Sequence, residues 1–158
     1  MPLQVAAMTP DQAVAITRWR YEGPWSVYNG TWPPPEPADG YVAVVDPDAS
    51  DIAAGFVGFA CFGGQARVRG LPAEPGVLDV GFGMCPDLVG QGRGRSLLAV
   101  VLAHARETTE GTEFRVVVQS WSARSRRLVE AAGFVASGSL VVHQFGEPVA
   151  YTVLRRAW

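Results

Sequence analysis

Apolar residues follow two different patterns along this chain. Predominantly apolar segments that read as strands occur at residues 41–46, 52–63, 77–86 and 113–121, and the last of them is typical of a central buried β-strand. Residues 95–107 instead repeat apolar side chains every three or four positions, which predicts a helix with one apolar stripe. The members of that stripe are Leu97, Leu98, Val101, Leu102 and Ala105. The chain therefore combines buried strands with amphipathic helices.

The N-terminal part adds a short strand, a helix and a long loop. Residues 3–7 have the pattern of a strand, and Thr9 with Pro10 marks the start of a helix that is predicted to continue to Gly23. Residues 24–40 are rich in proline and aromatic residues. Because proline removes backbone donors and fixes φ, this segment is predicted to be a loop.

The C-terminal part predicts one more helix and two strands. The helix covers residues 122–134, with Ser122 available as its N-cap. Residues 135–157 are predicted to form two strands around a turn at 146–148. The whole order is β, α, loop, β, β, β, α, β, α, β, β, without a repeat or a clear linker. It predicts one mixed α/β domain over residues 1–158.

The composition excludes several classes of protein. The 158 residues carry a net charge of −2, and all 13 basic residues are arginines, which argues against nonspecific binding to a nucleic acid. No apolar stretch approaches the roughly 20 residues that span a bilayer, and the N-terminus lacks the pattern of a secretory signal. We therefore expect a cytoplasmic protein that binds neither nucleic acid nor membrane. Cys61 and Cys85 lack metal-ligand spacing, so no metal site is predicted.

Three alternating glycines, Gly90, Gly92 and Gly94, stand between a predicted strand that Pro86 ends and the helix that follows. Unobstructed backbone N–H groups at a helix N-terminus form a binding site for phosphates. A P-loop would need a lysine, which the chain does not contain. A dinucleotide fingerprint would need a third spaced glycine where Arg95 stands. The turn therefore predicts a phosphate site of another kind.

Residues 86–98, PDLVGQGRGRSLL, closely resemble the acetyl-CoA motif of the GNAT superfamily of N-acetyltransferases. Residues 116–134, VVVQSWSARSRRLVEAAGF, resemble the next strand and helix of that family, including the closing Gly-Phe. The resemblance covers nearly the whole chain and is most specific between Leu78 and Phe134. It implies the GNAT fold, a central mixed and mostly antiparallel sheet of about six to seven strands flanked by helices.

The resemblance also implies how acetyl-CoA is held, without a metal. The pantetheine arm would lie along the backbone of Phe82, Gly83 and Met84, where one N–H would polarise the thioester carbonyl. Ser122 stands where the family has an asparagine, and it would either hydrogen-bond the pantetheine or cap its helix. Val129 stands where the family has the tyrosine that protonates the departing thiolate. The pyrophosphate would be bound by Gly90, Gln91, Gly92, Arg93, Gly94, Arg95 and Ser96.

The remaining candidates concern catalysis and the acceptor. Asp79 is the only carboxylate inside a central apolar strand, and it is the candidate for the general base that deprotonates the acceptor amine. The alternative is an ion pair with a nearby arginine such as Arg67 or Arg69. Trp25 and Tyr28 belong to the aromatic segment that forms the acceptor wall in GNAT proteins, so they are the candidates for substrate contact.

We therefore predict an acetyl-CoA-dependent N-acetyltransferase. The amine of a small molecule or of a peptide or protein N-terminus would attack the thioester directly, without a covalent acyl-enzyme. Valine at position 129 keeps open an alternative, a non-catalytic acyl-CoA-binding or sensing module of the same fold. The sequence leaves open the identity of the acceptor and whether the protein forms a homodimer.

Overall fold

The computed structural model of the protein describes residues 2–23, 26, 34–36, 39–51, 54–144 and 146–158. Its elements follow the predicted order. The strands are β1 (Gln4–Ala7), β2 (Val42–Val45), β3 (Phe56–Phe62), β4 (Val77–Met84), β5 (Glu113–Gln119), β6 (Val135–Gln144) and β7 (Glu147–Ala157). The helices are α1 (Pro10–Thr17), α2 (Arg93–Thr108) and α3 (Ala123–Ala131), with short 3₁₀ turns at Gly63–Ala66 and Pro86–Leu88.

The seven strands of the described residues are hydrogen-bonded in the order β1-β2-β3-β4-β5-β7-β6. The pairs β1–β2, β2–β3, β5–β7 and β6–β7 are antiparallel, whereas β4 and β5 are parallel. The predicted fold class, a mixed and mostly antiparallel sheet with helices, is confirmed.

Contacts divide the chain into two compact units. The first unit contains residues 1–61 and 82–104, and the second contains residues 62–81 and 105–158. The organisation of residues 1–158 as a single domain stays a prediction. Across the described ranges, every helix is too short or too polar to cross a membrane.

In the first unit, α1 begins where the sequence predicts. The Thr9 hydroxyl accepts a hydrogen bond from the N–H of Gln12, and the Gln12 side chain accepts one from the N–H of Thr9, which forms a capping box. The predicted continuation to Gly23 is wrong, because the helix ends at Thr17. The Arg20 guanidinium donates to the carbonyl of Thr17 at 3.0 Å, so a side chain satisfies a carbonyl that a further helical turn would otherwise use.

Trp19, just after α1, packs into the apolar core of the first unit. Its ring centroid lies 5.3 Å from that of Phe56 and 6.0 Å from that of Phe59, both in β3. Met8, Ala13 and other apolar residues complete this core. Burial of a large aromatic ring outweighs the gain from another exposed helical turn. The residues after α1 are consequently held against β3.

In the second unit, β5 pairs with β7 along its whole length and with β4 over Val77–Asp79. Phe114 of β5 is buried. Trp158 stacks on its ring at 5.1 Å, and the Arg106 guanidinium lies 5.3 Å from the ring centroid. The C-terminal tryptophan is therefore part of the packing of this unit.

Candidate functional site

The glycine turn lies in the first unit, between β4 and α2. β4 ends at Met84 and the 3₁₀ turn Pro86–Leu88 follows, since proline has no N–H for a strand ladder. Gly90 and Gly92 have φ angles of 83° and 76°, a left-handed conformation that is costly for any residue with a Cβ. Among the described residues, no atom lies within 4 Å of a Cβ placed on either glycine. The backbone of the turn therefore faces open space.

The start of α2 adds the N–H groups of a helix N-terminus to the glycine turn. The helix begins at Arg93, two residues earlier than predicted, so Gly94 and Arg95 lie in its first turn. The first N–H groups of a helix have no partner within the helix, and the helix dipole is positive at this end. Arg95 and Ser96 are exposed. An open glycine turn that runs into a helix N-terminus fits a pyrophosphate.

Two of the predicted phosphate ligands use their side chains within the protein. Arg93 Nη2 lies 2.6 Å from Oδ2 of Asp46, at the end of β2. The hydrogen bond from Arg93 lowers the pKa of the Asp46 carboxyl below its ordinary value. The Gln91 amide donates to the carbonyl of Asp87 at 3.1 Å. These two contacts hold the turn against the residue that follows β2 and against the 3₁₀ turn that precedes it.

We expect the Asp46–Arg93 ion pair to stabilise the fold in a pH-dependent way. Because the pKa of Asp46 is lowered from its ordinary value of 3.8, the pair contributes stability at neutral pH and loses it as the pH falls through the lowered pKa. Thermal melts of wild type and Asp46→Asn test this. The wild-type protein should have the higher Tm at neutral pH, and the two values should converge as the pH falls through the lowered pKa of Asp46. A constant difference in Tm at all pH values would contradict the expectation.

The backbone at the end of β4 lies very close to β3 and α2. A Cβ at Gly58 would collide with the carbonyl oxygen of Gly83 and with Cδ1 of Leu97. A Cβ at Gly83 would collide with the ring of Phe59. Glycine at both positions allows the approach that fixes the backbone of residues 82–84.

The carbonyl of Met84 points away from β3. The N–H of Cys85 donates to the carbonyl of Val57 in β3 at 2.8 Å, and a planar trans peptide directs the preceding C=O the opposite way. The hydroxyl of Tyr21 donates to that Met84 carbonyl at 2.6 Å. Tyr21 therefore lies at the edge of β4 that faces away from β3.

The thiol of Cys85 follows directly after this strand. Its pKa is raised by burial, which disfavours the thiolate that nucleophilic attack requires. Across the described residues, no group of three or more His, Cys, Asp or Glu side chains is arranged to hold a metal ion.

Asp79 lies in the second unit and is 1% exposed. The parallel register of β4 and β5 places Arg115 directly beside it. Arg115 Nε lies 2.6 Å from Oδ1 and Nη2 lies 3.0 Å from Oδ2, while Arg67 Nη1 lies 3.0 Å from Oδ2. Both carboxylate oxygens thus accept hydrogen bonds from arginines. These contacts support the ion-pair alternative for Asp79, and its role as a base stays a prediction.

The Asp79–Arg115 pair belongs to a wider network in the second unit. Arg115 is also 1% exposed, and it donates to the carbonyl of Pro72 at 2.8 Å and to Glu74 at 3.2 Å. Glu74 and Glu113 both accept hydrogen bonds from Arg155. The hydrogen bond from Arg155 lowers the pKa of Glu74.

Comparison with known proteins identifies the family. Residues 3–135 match the family model for the acetyltransferase (GNAT) domain. The chain belongs to the GNAT acetyltransferase family. Comparison with curated proteins gave no match.

Solved structures of GNAT acetyltransferases share the fold. A phosphinothricin acetyltransferase from Sinorhizobium meliloti in complex with AcCoA is 19% identical, with 99% of this chain and 89% of that chain covered and a TM-score of 0.67. An N-acetyltransferase from Staphylococcus aureus Mu50 is 14% identical, with 99% of both chains covered and a TM-score of 0.68. An aminoglycoside acetyltransferase in complex with coenzyme A is 17% identical, with 96% and 93% covered and a TM-score of 0.62.

Two positions of the GNAT motif on α3 are buried in the second unit. Ser122 occupies the N-cap position, but its side chain makes no capping hydrogen bond and instead donates to the hydroxyl of Ser125 at 2.9 Å. Its predicted capping bond is therefore wrong, and its contact with pantetheine stays a prediction. Val129 is 0% exposed, so its aliphatic side chain is part of the core.

Trp25 and Tyr28 lie outside the described residues, so their contact with the acceptor stays a prediction. The sequence does not predict the contact of Tyr21 with Met84 or that of Arg93 with Asp46. The partners are 63 and 47 positions apart, and no local spacing signals such contacts.

Proposed function

We propose that the protein is an N-acetyltransferase that transfers the acetyl group of acetyl-CoA directly to a primary amine of a small molecule or a protein N-terminus. The open turn at Gly90 and Gly92, directly before the N-terminus of α2, carries this proposal. Family membership supports acyl transfer, and two similar structures contain AcCoA or coenzyme A. Their names, phosphinothricin and aminoglycoside acetyltransferase, support a small-molecule acceptor.

Separate groups of the chain would bind the donor, orient it and polarise its thioester carbonyl. Backbone N–H groups of the glycine turn and of the first turn of α2 bind the pyrophosphate of the donor. The backbone of Phe82, Gly83 and Met84 aligns the pantetheine arm, and one of its N–H groups polarises the thioester carbonyl. The neutral amine then attacks the carbonyl carbon. Because both oxygens of Asp79 accept bonds from arginines, we favour water as the carrier of the proton that leaves the amine.

The burial of Cys85 supports transfer without a covalent acyl-enzyme. Its raised thiol pKa makes a ping-pong route through this residue unfavourable. Direct attack needs only that donor and acceptor are held together in the right orientation.

Ligand binding followed by turnover tests the proposal. Acetyl-CoA should raise the Tm of the protein in a concentration-dependent way, whereas NAD at the same concentrations should not. Release of free CoA thiol should then identify an acceptor within a panel of amines that includes aminoglycosides, amino acids and peptides. Stabilisation by NAD and not by acetyl-CoA would overturn the assignment.

We expect Gly92→Ala to weaken binding of acetyl-CoA by about tenfold or more, because the left-handed φ of 76° becomes strained and the Cβ enters the open space above the turn. Gly146→Ala is the matched control. Gly146 has a φ of 79° and equally open surroundings among the described residues, but it lies between β6 and β7. Both variants should lose similar stability in thermal melts. Calorimetry should show weakened binding only for Gly92→Ala, and equal affinities would contradict the role of the turn.

A second candidate function is a non-catalytic acyl-CoA-binding or sensing module. The buried Val129, in place of the tyrosine that the resemblance implies, favours it. Steady thiol release with any amine would exclude this candidate, and tight binding without turnover across the panel would support it. The cytoplasmic location stays a prediction of the sequence.

A further inference from the structure

In the proposed reaction, the residue at position 129 cannot give a proton to the departing CoA thiolate. In acetyl transfer the amine nitrogen bonds to the carbonyl carbon, the C–S bond breaks, and its electron pair moves to sulfur. A proton donor beside that sulfur lowers the barrier of this step. Val129 is aliphatic and fully buried, so it cannot donate. The donor must come from elsewhere in the chain or from solvent.

Tyr21 places a hydroxyl group at the relevant edge of β4. Its oxygen lies 2.6 Å from the carbonyl oxygen of Met84. That carbonyl points away from β3, because the N–H of Cys85 in the same peptide donates to Val57. The hydroxyl therefore lies at the edge of β4 opposite β3, along which the pantetheine arm is proposed to lie.

Tyr21 is held by the packing of a neighbouring residue and by one hydrogen bond. Two residues earlier, the ring of Trp19 packs against Phe56 and Phe59 of β3. The hydroxyl itself is held to Met84. The packing of Trp19 limits where the Tyr21 ring can lie, so the ring needs little further ordering when its hydroxyl changes partner.

We propose that Tyr21 is the proton donor to the departing CoA thiolate, an inference that rests on the proposed acetyl transfer. A pantetheine amide N–H that binds the carbonyl of Met84 would release the O–H of Tyr21 toward the sulfur. When the C–S bond breaks, the sulfur takes the phenolic proton and becomes the free thiol. The phenolate then regains a proton, through water, from the nitrogen that has formed the amide. The sum is one acetyl-CoA and one amine converted to one amide and one CoA thiol.

The ionisation of bound CoA tests this without an acceptor. A hydroxyl that donates to the sulfur stabilises the thiolate, so Tyr21→Phe should raise the pH midpoint of the bound thiol by about one unit. The midpoint is measured from the rate of iodoacetamide alkylation of CoA against pH. Alkylated CoA is quantified by mass, so that Cys61 and Cys85 do not contribute to the signal.

Tyr41→Phe is the matched control. Tyr41 is also in the first unit, and its hydroxyl interacts with Cys61 of β3. Its removal should leave the midpoint unchanged. With an amine that the wild-type protein acetylates, Tyr21→Phe should lower kcat by about 100-fold and change the KM for acetyl-CoA by less than about threefold.

The outcomes separate this role from the proposed function. Equal midpoints for wild type and Tyr21→Phe, or a rise in KM with unchanged kcat, would overturn the role of Tyr21 and leave acetyl transfer intact. Failure of the wild-type protein to bind CoA at all would overturn the proposed function, and the role of Tyr21 with it.

Discussion

Replacement of Asp79 by asparagine is expected to lower the free energy of unfolding by about 3–5 kcal/mol. The Arg115 side chain is fully buried, and it donates two hydrogen bonds to the Asp79 carboxylate. The substitution removes the negative charge that balances the buried guanidinium. Glu74 also contacts Arg115, but its side chain is 41% exposed and is shared with Arg155. An exposed and shared carboxylate replaces a buried bidentate partner only in part.

Chemical denaturation followed by circular dichroism measures this loss. Glu113→Gln is the control, because Glu113 pairs with Arg155 in the same unit at 2.6 Å but is 34% exposed. Its loss should cost less than about 1 kcal/mol. The double variant Asp79→Leu with Arg115→Met should recover most of the stability that Asp79→Asn loses, since it leaves no buried charge unpaired.

The same variant decides between the two roles considered for Asp79. As a general base, Asp79 would be needed for turnover, and Asp79→Asn would fold with wild-type stability while kcat falls by about 100-fold or more. If Asp79 instead forms a structural ion pair, Asp79→Asn would lower the free energy of unfolding. Wild-type stability combined with that loss of kcat would show that the ion-pair interpretation is wrong.

The pattern of the sequence predicts those features of the fold that depend on neighbouring residues. The apolar runs located β2 to β5, the stripe from Leu97 to Ala105 located α2, and Thr9 with Pro10 located the start of α1. In each case the residues that predict the element are also the residues that form it. The glycine turn between β4 and α2 belongs to this class, although α2 begins two residues earlier than predicted.

The features that the sequence did not predict depend on contacts between distant segments. α1 ends at Thr17 because Trp19 packs on β3, which no helical periodicity in residues 11–23 reveals. Arg115 was missed as the partner of Asp79 because the parallel register that brings them together spans 36 positions. Arg93 was assigned to phosphate on its place in the motif, although Asp46 at the end of β2 accepts its hydrogen bond. Local sequence thus predicts the glycine turn, while the partners of charged and phenolic groups come from the fold.

This dependence on distant contacts is strongest where β4 passes β3. Gly58 and Gly83 occur in ordinary strand-like runs, and nothing in their local sequence shows that their backbones touch. The contact nevertheless positions residues 82–84, along which the pantetheine arm is proposed to lie. It also determines where the carbonyl of Met84 meets the hydroxyl of Tyr21.

Gly58→Ala is therefore expected to lower the free energy of unfolding by about 1–3 kcal/mol and to weaken acetyl-CoA binding by about tenfold or more. The added methyl group would collide with the carbonyl oxygen of Gly83 and with Leu97. A backbone oxygen cannot rotate aside as a flexible side chain can, and Leu97 is itself fully buried. Relief of the collision requires β4 to move relative to β3, which displaces Phe82 and Met84.

Gly138→Ala in β6 is the control for the loss of a strand glycine, because no described atom lies within 4 Å of a Cβ placed there. It should change stability by less than about 0.5 kcal/mol and leave affinity unchanged. Denaturation measures the first quantity and calorimetry with acetyl-CoA the second. If Gly58→Ala kept both at wild-type values, the approach of β3 to β4 would not be what positions the donor strand. A loss of affinity larger than the loss of stability alone can explain would show that the methyl group acts on the binding edge of β4.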